Sequence, residues 1–434
     1  MNTMNDNADL VRISSANFSI MDCYEKRTNK SNEIDKILAH ILKLTRYYLG
    51  ITLKECHIDG LSTSYNNKVE NNRVPLKYDT LKKICNRYSI NVEKLLNFAN
   101  NVTLDKIMSM VMNHNMSALK GLAEDDFYQD LNTFNMLAIN AFIALDEGRM
   151  EEVLNCINNM MVTYKSFETA EWFVFFYIKS LYDYKSHFLN SIDNELLILQ
   201  ELSGQGKIFK IAYAALACEI YFNTKKYISF LHYYEELKWV NMEGLSSHTI
   251  RLFELYDTFI HNYERSADHL DDILLNKYEA YSVIYNDALY LLIRYYFEQN
   301  NYNKVYNLIK EHHLEVHPLY KGLMIYLGYV GYIKVVPNNK SLLIGHTLPE
   351  NYDLTDVYEL VMNNIMSGKE KALDVVKTYR KEIEETLEEY YHPFINELLY
   401  IVLYKTLYKA TRYKQALDVL YKAKDKGYNL TLIK

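Results

Sequence analysis

The segment ITLKECHIDGLSTSYNNKVENNR, residues 51–73, decides the fold of the N-terminal part of this chain. Thr52 and Ser62 stand where two helices would each need an N-cap, and Asp59-Gly60 between them is a turn dipeptide. The stretch after Ser62 is polar and rich in asparagine, so it has little to bury. We therefore expect two short helices joined by a glycine turn, the second of which presents polar side chains to something other than protein.

The flanking sequence predicts further helices and a basic surface. Apolar residues recur at three- and four-residue spacings before Gly50 and again after Arg73, which predicts five helices over 33–100. Residues 33–98 hold 11 Lys+Arg against 7 Asp+Glu, a net charge of +4 in a chain whose total is −7. A small basic module before a larger acidic one is typical of a nucleic-acid-binding domain joined to a different domain.

The motifs GITLKE, GLSTSY and KVENNR resemble the Cro/repressor-type (XRE) helix-turn-helix (HTH) in order and spacing. The resemblance implies that the second helix of the HTH enters the DNA major groove, where side chains contact base edges, while flanking residues contact phosphates. The implied base-contacting residues are Thr63, Ser64, Asn67 and Lys68. The implied phosphate-contacting residues are Thr52, Lys54, Arg73 and Lys77.

The same resemblance implies an ion pair between Arg46 of the first helix and Glu70 of the base-contacting helix. The chain departs from the pattern at two positions. Leu53 stands where the family usually has a glutamine, which weakens one expected phosphate contact. Asn66 stands where the family has an apolar side chain, so a polar group is expected in a packed position.

The composition favours an all-α protein. Of 434 residues 49% are apolar, and 13 Gly and 5 Pro leave little material for turns, so long helices with short connections are expected. The 41 Tyr are expected to serve mainly in packing. The five cysteines are scattered without a CxxC pair, which predicts no disulfide framework, no zinc site and a reducing cytoplasm.

Signals for membranes, catalysis and metals are weak. The longest apolar tract, residues 322–333, is too short to cross a bilayer, and no nucleotide-binding or hydrolase motif occurs. His313 and His317 are four residues apart, as two metal ligands on one helix face would be, but no glutamate completes an HExxH motif. We expect no enzyme activity, no cofactor and no metal site.

A recurring pattern fills the rest of the chain. A polar turn followed by an aromatic residue or Met and an apolar run occurs in EGRMEEVLNCI, NTKKYISFLHYY, QNNYNKVYNLI and ATRYKQALDVL. The equivalent anchor residues are Val153, Phe230, Val305 and Ala416. Their separations of 77, 75 and 111 are near multiples of about 37, and weaker copies fall at 186–197, 263–274 and 367–379. Such a period predicts an array of helical hairpins.

The pattern resembles degenerate tetratricopeptide-like (TPR-like) repeats over residues 130–428. It implies a right-handed α-solenoid that follows the HTH domain (33–100) and a linker region (101–129), with residues 1–32 as an N-terminal extension. We expect peptide binding within 130–300 and dimerisation within 353–428. The inward, peptide-contacting positions implied by the resemblance are Asn135, Phe142, Tyr177, Glu219, Tyr256, Tyr290 and Arg294.

An XRE domain joined to such repeats resembles the RRNPP family of regulators from Gram-positive bacteria, which includes phage arbitrium receptors. The resemblance implies a cytoplasmic homodimer that regulates transcription, binds duplex operator DNA and responds to a short signalling peptide. Two alternatives stay open. One is an HTH repressor whose solenoid binds a protein antagonist, and the other is a TPR scaffold with a vestigial HTH.

Overall fold

The structure, a computed structural model, is all-α in the part of the chain that it describes, as the composition predicts. It describes residues 33–56, 58, 60–131, 133–162, 167–186, 191–240, 242–262, 283–299, 301–311 and 393–425. The α-helices are α1 Glu33–Tyr48, α2 Thr63–Glu70, α3 Tyr78–Arg87, α4 Val92–Asn101, α5 Leu104–Met112, α6 Met116–Ala123, α7 Thr133–Asp146, α8 Met150–Val162, α9 Thr169–Lys185, α10 Ile192–Leu202, α11 Lys207–Asn223, α12 Tyr227–Val240, α13 Ser247–Asn262, α14 Val283–Glu298, α15 Tyr302–Glu311, α16 Pro393–Lys409 and α17 Tyr413–Asp425.

The chain divides into two compact units. The first contains the described parts of 1–184, 191–217 and 235–246, and the second those of 185–190, 218–234 and 247–434. The first unit therefore holds α1–α6 together with the hairpin α7–α8, and the second holds α13–α17. No helix in the described part of the chain is both long and apolar enough to span a membrane.

Helices α1–α4 form a small core, as the apolar spacing predicts. Every one of these helices contributes large buried apolar side chains to it: Ile37, Ile41, Leu42, Val69, Leu81, Ile84, Leu95 and Phe98. The predicted ends also hold. Gly50 adopts φ +68° just after α1, and the Oγ of Ser62 accepts a hydrogen bond from the Tyr65 N–H at 3.2 Å to cap α2. Asn71 and Asn72 end α2 as expected, with Asn72 in the left-handed region.

The prediction of a second helix capped by Thr52 is wrong, because the described residues after Thr52 form only a turn. Thr52 and Glu55 do form a capping box, in which the Glu55 carboxylate accepts from the Thr52 N–H at 2.9 Å. The turn that they begin ends at Cys56, whose Sγ lies 3.0 Å from the Tyr88 hydroxyl. A single turn does not repay the cost of helix nucleation before the Gly60 turn, where φ is +80°.

The repeat anchors occupy one structural position. Val153, Phe230, Val305 and Ala416 are each the fourth residue of the second helix of a hairpin, namely α8, α12, α15 and α17, and each is no more than 1% exposed. Burial at a fixed place in successive hairpins is what a repeat predicts.

The turns of these hairpins share their backbone geometry. The residue five positions before the anchor has a positive φ in three of them, at Gly148 (+73°), Lys225 (+60°) and Thr411 (+58°). The next N–H then bonds back to a carbonyl of the preceding helix, as in Arg149 to Ala144 at 2.8 Å. The corresponding bonds are Lys226 to Tyr221, Asn301 to Tyr296 and Arg412 to Leu407, at 2.8, 2.8 and 2.9 Å. This Schellman-type end stops each first helix at the same place.

The hairpin α9–α10 breaks the apolar rule. The fourth residue of α10 is Glu195, which is fully buried where the other hairpins have an apolar anchor. Its carboxylate pairs with the Lys179 ammonium, which also bonds Asp183 at 2.5 Å. Ser191 donates to the same Asp183 carboxylate at 3.2 Å. Two buried carboxylates therefore share one buried cation, so this hairpin carries an excess negative charge or a proton.

Several predictions concern residues outside the described ranges. These are the extension 1–32, the weak repeats at 263–274 and 367–379, the histidines His313 and His317, and the part of the proposed dimerisation region before residue 393. The weak repeat at 186–197 falls partly on α10, where the structure places the second helix of a hairpin.

We predict that the α9–α10 cluster makes stability depend on pH. Burial, and then repulsion by Glu195, raises the pKa of Asp183 from 3.8 to about 7. Since the folded state holds this proton more tightly, the stabilisation is complete below the unfolded pKa and is lost as pH rises towards 7. Asp183→Asn should therefore flatten the fall in thermal midpoint between about pH 5 and pH 8. The exposed Asp126→Asn is the control, and an unchanged slope in Asp183→Asn would contradict the assignment.

A second prediction concerns Asn66, which is 2% exposed on α2. Neither the Nδ2 nor the Oδ1 of its side-chain amide has a hydrogen-bond partner among the described residues. Burying an unsatisfied polar group costs about 1–3 kcal/mol, so Asn66→Leu, of similar size, should raise the free energy of unfolding by an amount of that order. Chemical denaturation measures it. The control is Asn67→Leu, which should not raise the free energy of unfolding, because Asn67 is exposed. A destabilised Asn66→Leu protein would refute this account.

Candidate functional site

The position of α2 is set by a buried ion pair. The Arg46 Nε donates to the Glu70 Oε1 at 2.8 Å and its Nη2 to the Oε2 at 2.8 Å, a two-point contact between α1 and the end of α2. The Arg46 Nη1 also donates to the Ile51 carbonyl at 2.8 Å. Hydrogen bonds to Glu70 raise the pKa of Arg46. The ion pair predicted from the sequence is therefore confirmed, and it fixes α2 at its C-terminal end.

All eight side chains predicted to contact DNA are exposed to solvent. They lie on α2, on the turn that precedes it and on the segment that follows it: Thr52, Lys54, Thr63, Ser64, Asn67, Lys68, Arg73 and Lys77. Asn66, Val69 and Glu70 on the opposite side of α2 are buried. The helix thus has one face in the domain core and one polar face in solvent.

The cations of this group have no carboxylate partner in the described part of the chain. Lys54, Lys68, Arg73 and Lys77 form no ion pair with any described residue, whereas Lys94 elsewhere in the same domain is paired with Asp126 at 2.5 Å. A surface of unpaired cations around a polar helix attracts a polyanion. Leu53, at the position of the usual glutamine, is half-buried and adds no polar contact.

Asn135 does not lie on an open peptide-binding surface, contrary to the prediction. It is 2% exposed, and its Nδ2 donates to the Val102 carbonyl at 2.8 Å and to the Glu33 carboxylate at 3.2 Å. The same Glu33 oxygen accepts from the Leu104 N–H at 3.0 Å. Asn135 therefore joins α7 to α1 and to the end of α4, because the buried carbonyl there needs a donor.

A second contact joins α1 to the start of α9. The Lys36 ammonium bonds Glu171 at 3.0 Å and Glu168 at 3.5 Å, and the Glu171 carboxylate also accepts from the Glu168 N–H at 2.7 Å. Together with Glu33 and Asn135, these residues line a small cleft in the first unit. Sequence reasoning missed this junction, since its members are far apart in the chain.

The other predicted peptide-contacting residues lie mostly in the packed interior of their units. In the first unit, Phe142 and Tyr177 are buried, with ring centroids 6.2 Å apart. In the second unit, Tyr256 is stacked on Phe222 at a centroid separation of 3.5 Å and is 9% exposed. These burials correct the expectation that the aromatic rings line an open groove: TPR-like spacing places them in the core, where they exclude water.

Three predicted peptide-contacting residues remain. Tyr290, in α14, is 6% exposed. Glu219, in α11, is half-buried, so part of its side chain reaches solvent. Arg294 lies on α14 and its side chain is outside what the structure describes. Of the seven predicted positions, Glu219 is the one that the described structure leaves partly open.

Comparisons with known proteins identify no family. No family model matches the chain, and no curated protein matches it. Among solved structures, it is similar to the crystal structure of the SHP pheromone receptor Rgg2 of Streptococcus dysgalactiae. The match has 14% sequence identity and a TM-score of 0.21, and it covers 63% of this chain and 98% of that one.

Proposed function

We propose that this protein is a DNA-binding transcription regulator. The observation that carries the proposal is the geometry of α2: a capped helix held by the Arg46–Glu70 pair, with four polar side chains exposed on one face. A rigid helix with an exposed polar face fits the major groove, which admits an α-helix. The scaffold alternative has no use for such a face.

The proposed roles follow from side-chain chemistry and position. Asn67 and Lys68 can donate hydrogen bonds to base edges, and Thr63 and Ser64 near the start of α2 can bond to bases or phosphates. Arg73 and Lys77 follow α2 and form no ion pair with a residue that the structure describes, and Thr52 and Lys54 precede it. We assign the four flanking residues to phosphates, which position the domain without specifying sequence.

We further propose that the regulator acts as a homodimer, because one HTH domain covers only half of an operator. The hairpin α16–α17 supports this proposal with exposed apolar residues. Tyr413, Leu417 and Tyr421 recur every four residues on α17 and are 53%, 50% and 64% exposed. Tyr408 packs edge-on against Tyr413 at 5.2 Å and extends the patch. Exposed apolar residues that lie together on one helix face are typical of an association surface.

We propose that a short peptide binds the repeat region and alters DNA binding. The hairpins support this proposal, since helical repeats of this kind offer extended surfaces to extended ligands. Glu219, partly open on a first helix, would bind a cationic group of the peptide. A protein antagonist remains the alternative effector.

The DNA assignment predicts a specific pattern of mutant effects. Selection from a random duplex library should give two half-sites about one helical turn (34–36 Å) or a multiple apart. Asn67→Ala with Lys68→Ala should relax base preference within each half-site, at about 1–3 kcal/mol per good contact. Arg73→Ala should weaken binding to all sequences alike and reduce its salt dependence. Titration by fluorescence anisotropy at several salt concentrations measures these effects.

The control is Glu151→Ala, which should leave DNA affinity unchanged, because Glu151 is an exposed residue of α8, the second helix of its hairpin. The assignment fails if the double variant selects the same half-site with unchanged affinity. A single half-site, together with a monomer in light scattering with and without DNA, would refute the dimer while leaving the DNA-binding helix in place.

The effector proposal is tested with peptides selected by display against the full-length protein. At least one selected peptide should shift the DNA affinity, and Glu219→Gln should weaken that peptide's binding about tenfold, because a charge-assisted hydrogen bond is lost. The control is Glu235→Gln, which should leave the binding of that peptide unchanged, because Glu235 is an exposed residue of α12, the second helix of its hairpin. Peptides that bind but leave DNA affinity unchanged would favour the protein-antagonist alternative.

A further inference from the structure

Two successive hydrogen bonds connect α1 to the exposed face of α2, and a third bond strengthens the second of them. The Lys43 ammonium of α1 donates to the Asn71 Oδ1 at 3.2 Å. The Asn71 Nδ2 then donates to the Asn67 Oδ1 at 2.8 Å, and to the Asn67 carbonyl at 2.7 Å. Asn67 lies on α2, and Asn71, four residues later, is the C-cap of that helix; both are exposed. We call these three residues the amide relay.

The direction of the relay is fixed by the Lys43 ammonium, which only donates, and by the Asn67 backbone carbonyl, which only accepts. An ammonium group has only donors, so the Asn71 amide must turn its oxygen towards Lys43 and its NH₂ towards Asn67. The Asn67 amide must in turn present its oxygen to Asn71. This leaves the Asn67 Nδ2, a donor, as the end that is free to reach a base. An isolated asparagine could present either end.

We propose that the amide relay sets the base specificity of Asn67, with Lys43 and Asn71 as positioning residues. The inference rests on the proposed DNA-binding function and deepens it. In the major groove guanine presents two acceptors, adenine and thymine each present an acceptor, and cytosine presents only an amino donor. Asn67, held as a donor, therefore favours guanine and disfavours cytosine at the base that it contacts.

The test is a single change in the middle of the relay. Asn71→Asp leaves only acceptors at residue 71, so the carboxylate must move away from the Asn67 carbonyl to which the Asn71 Nδ2 had donated. Lys43 still donates to this carboxylate, and the Asn67 Nδ2 turns inwards to donate to it as well. The Asn67 oxygen then faces the base and accepts from the amino group of cytosine or adenine. Lys43→Ala removes one of the two contacts that orient Asn71. The Asn67 carbonyl still accepts from the Asn71 Nδ2, so the preference at the same base should weaken without reversing.

The experiment is selection from a random duplex library followed by sequencing, performed on the full-length protein. Asn67→Ala first identifies the base position, since preference disappears there. At that position Asn71→Asp should raise the ratio of cytosine to guanine about tenfold over the unmutated protein. Asn86→Asp makes the same charge change at an exposed residue of α3 and should leave the ratio unchanged. A merely structural role for Asn71 would lower affinity for all sequences without this exchange of bases.

The outcomes separate this inference from the proposed function. Selection of a defined half-site with no change of base in Asn71→Asp overturns the relay and leaves the DNA-binding function standing. The relay is also overturned if the Asn67→Ala protein has the same base preference as the unmutated protein at every position of the half-site. Failure of the unmutated protein to bind any duplex overturns the proposed function, and with it the relay.

Discussion

The buried ion pair between Arg46 and Glu70 is the interaction on which the N-terminal domain depends. Both side chains are about 95% buried, so each charge has lost most of its water; the two charges compensate each other, and Arg46 also contacts the Ile51 carbonyl and the Tyr47 ring. Removing one partner of such a pair costs about 3–5 kcal/mol. The pair is thus less a source of stability than a constraint, because α2 can pack on α1 in only the orientation that satisfies it.

That constraint gives meaning to the exposed face of α2. With the glutamate at its C-terminal end fixed, the polar residues one and two turns earlier point to solvent together, and Lys43 of α1 comes within reach of Asn71. The same helix α1 reaches the first repeats through Glu33 and Lys36. One helix therefore positions the candidate DNA-binding surface and contacts the repeat region of its own unit.

The repeats depend on a different constraint, which is backbone geometry. In three of the four strong copies the structure describes the residue five positions before the anchor, and in each of these the first helix ends there in the left-handed conformation. Only one of these three residues, Gly148, is a glycine. Lys225 and Thr411 accept this conformation at some conformational cost, since the N–H that follows gains a hydrogen bond to the helix. Side-chain identity is freer, as Glu195 shows, because an ion pair can fill the place of an apolar anchor.

The sequence by itself determined the helical class, the caps of α2, the Arg46–Glu70 pair and the register of the repeats, because these depend on spacing within a few turns or on a motif. Only the tertiary structure decided that the segment after Thr52 stops after one turn, that Asn135 bonds the Val102 carbonyl, and that rings such as Phe142 pack inside their unit. It also decided the direction of the amide relay, since Lys43 and Asn71 are 28 residues apart. Burial and hydrogen-bond partners depend on residues distant in the chain, and local periodicity carries no information about them.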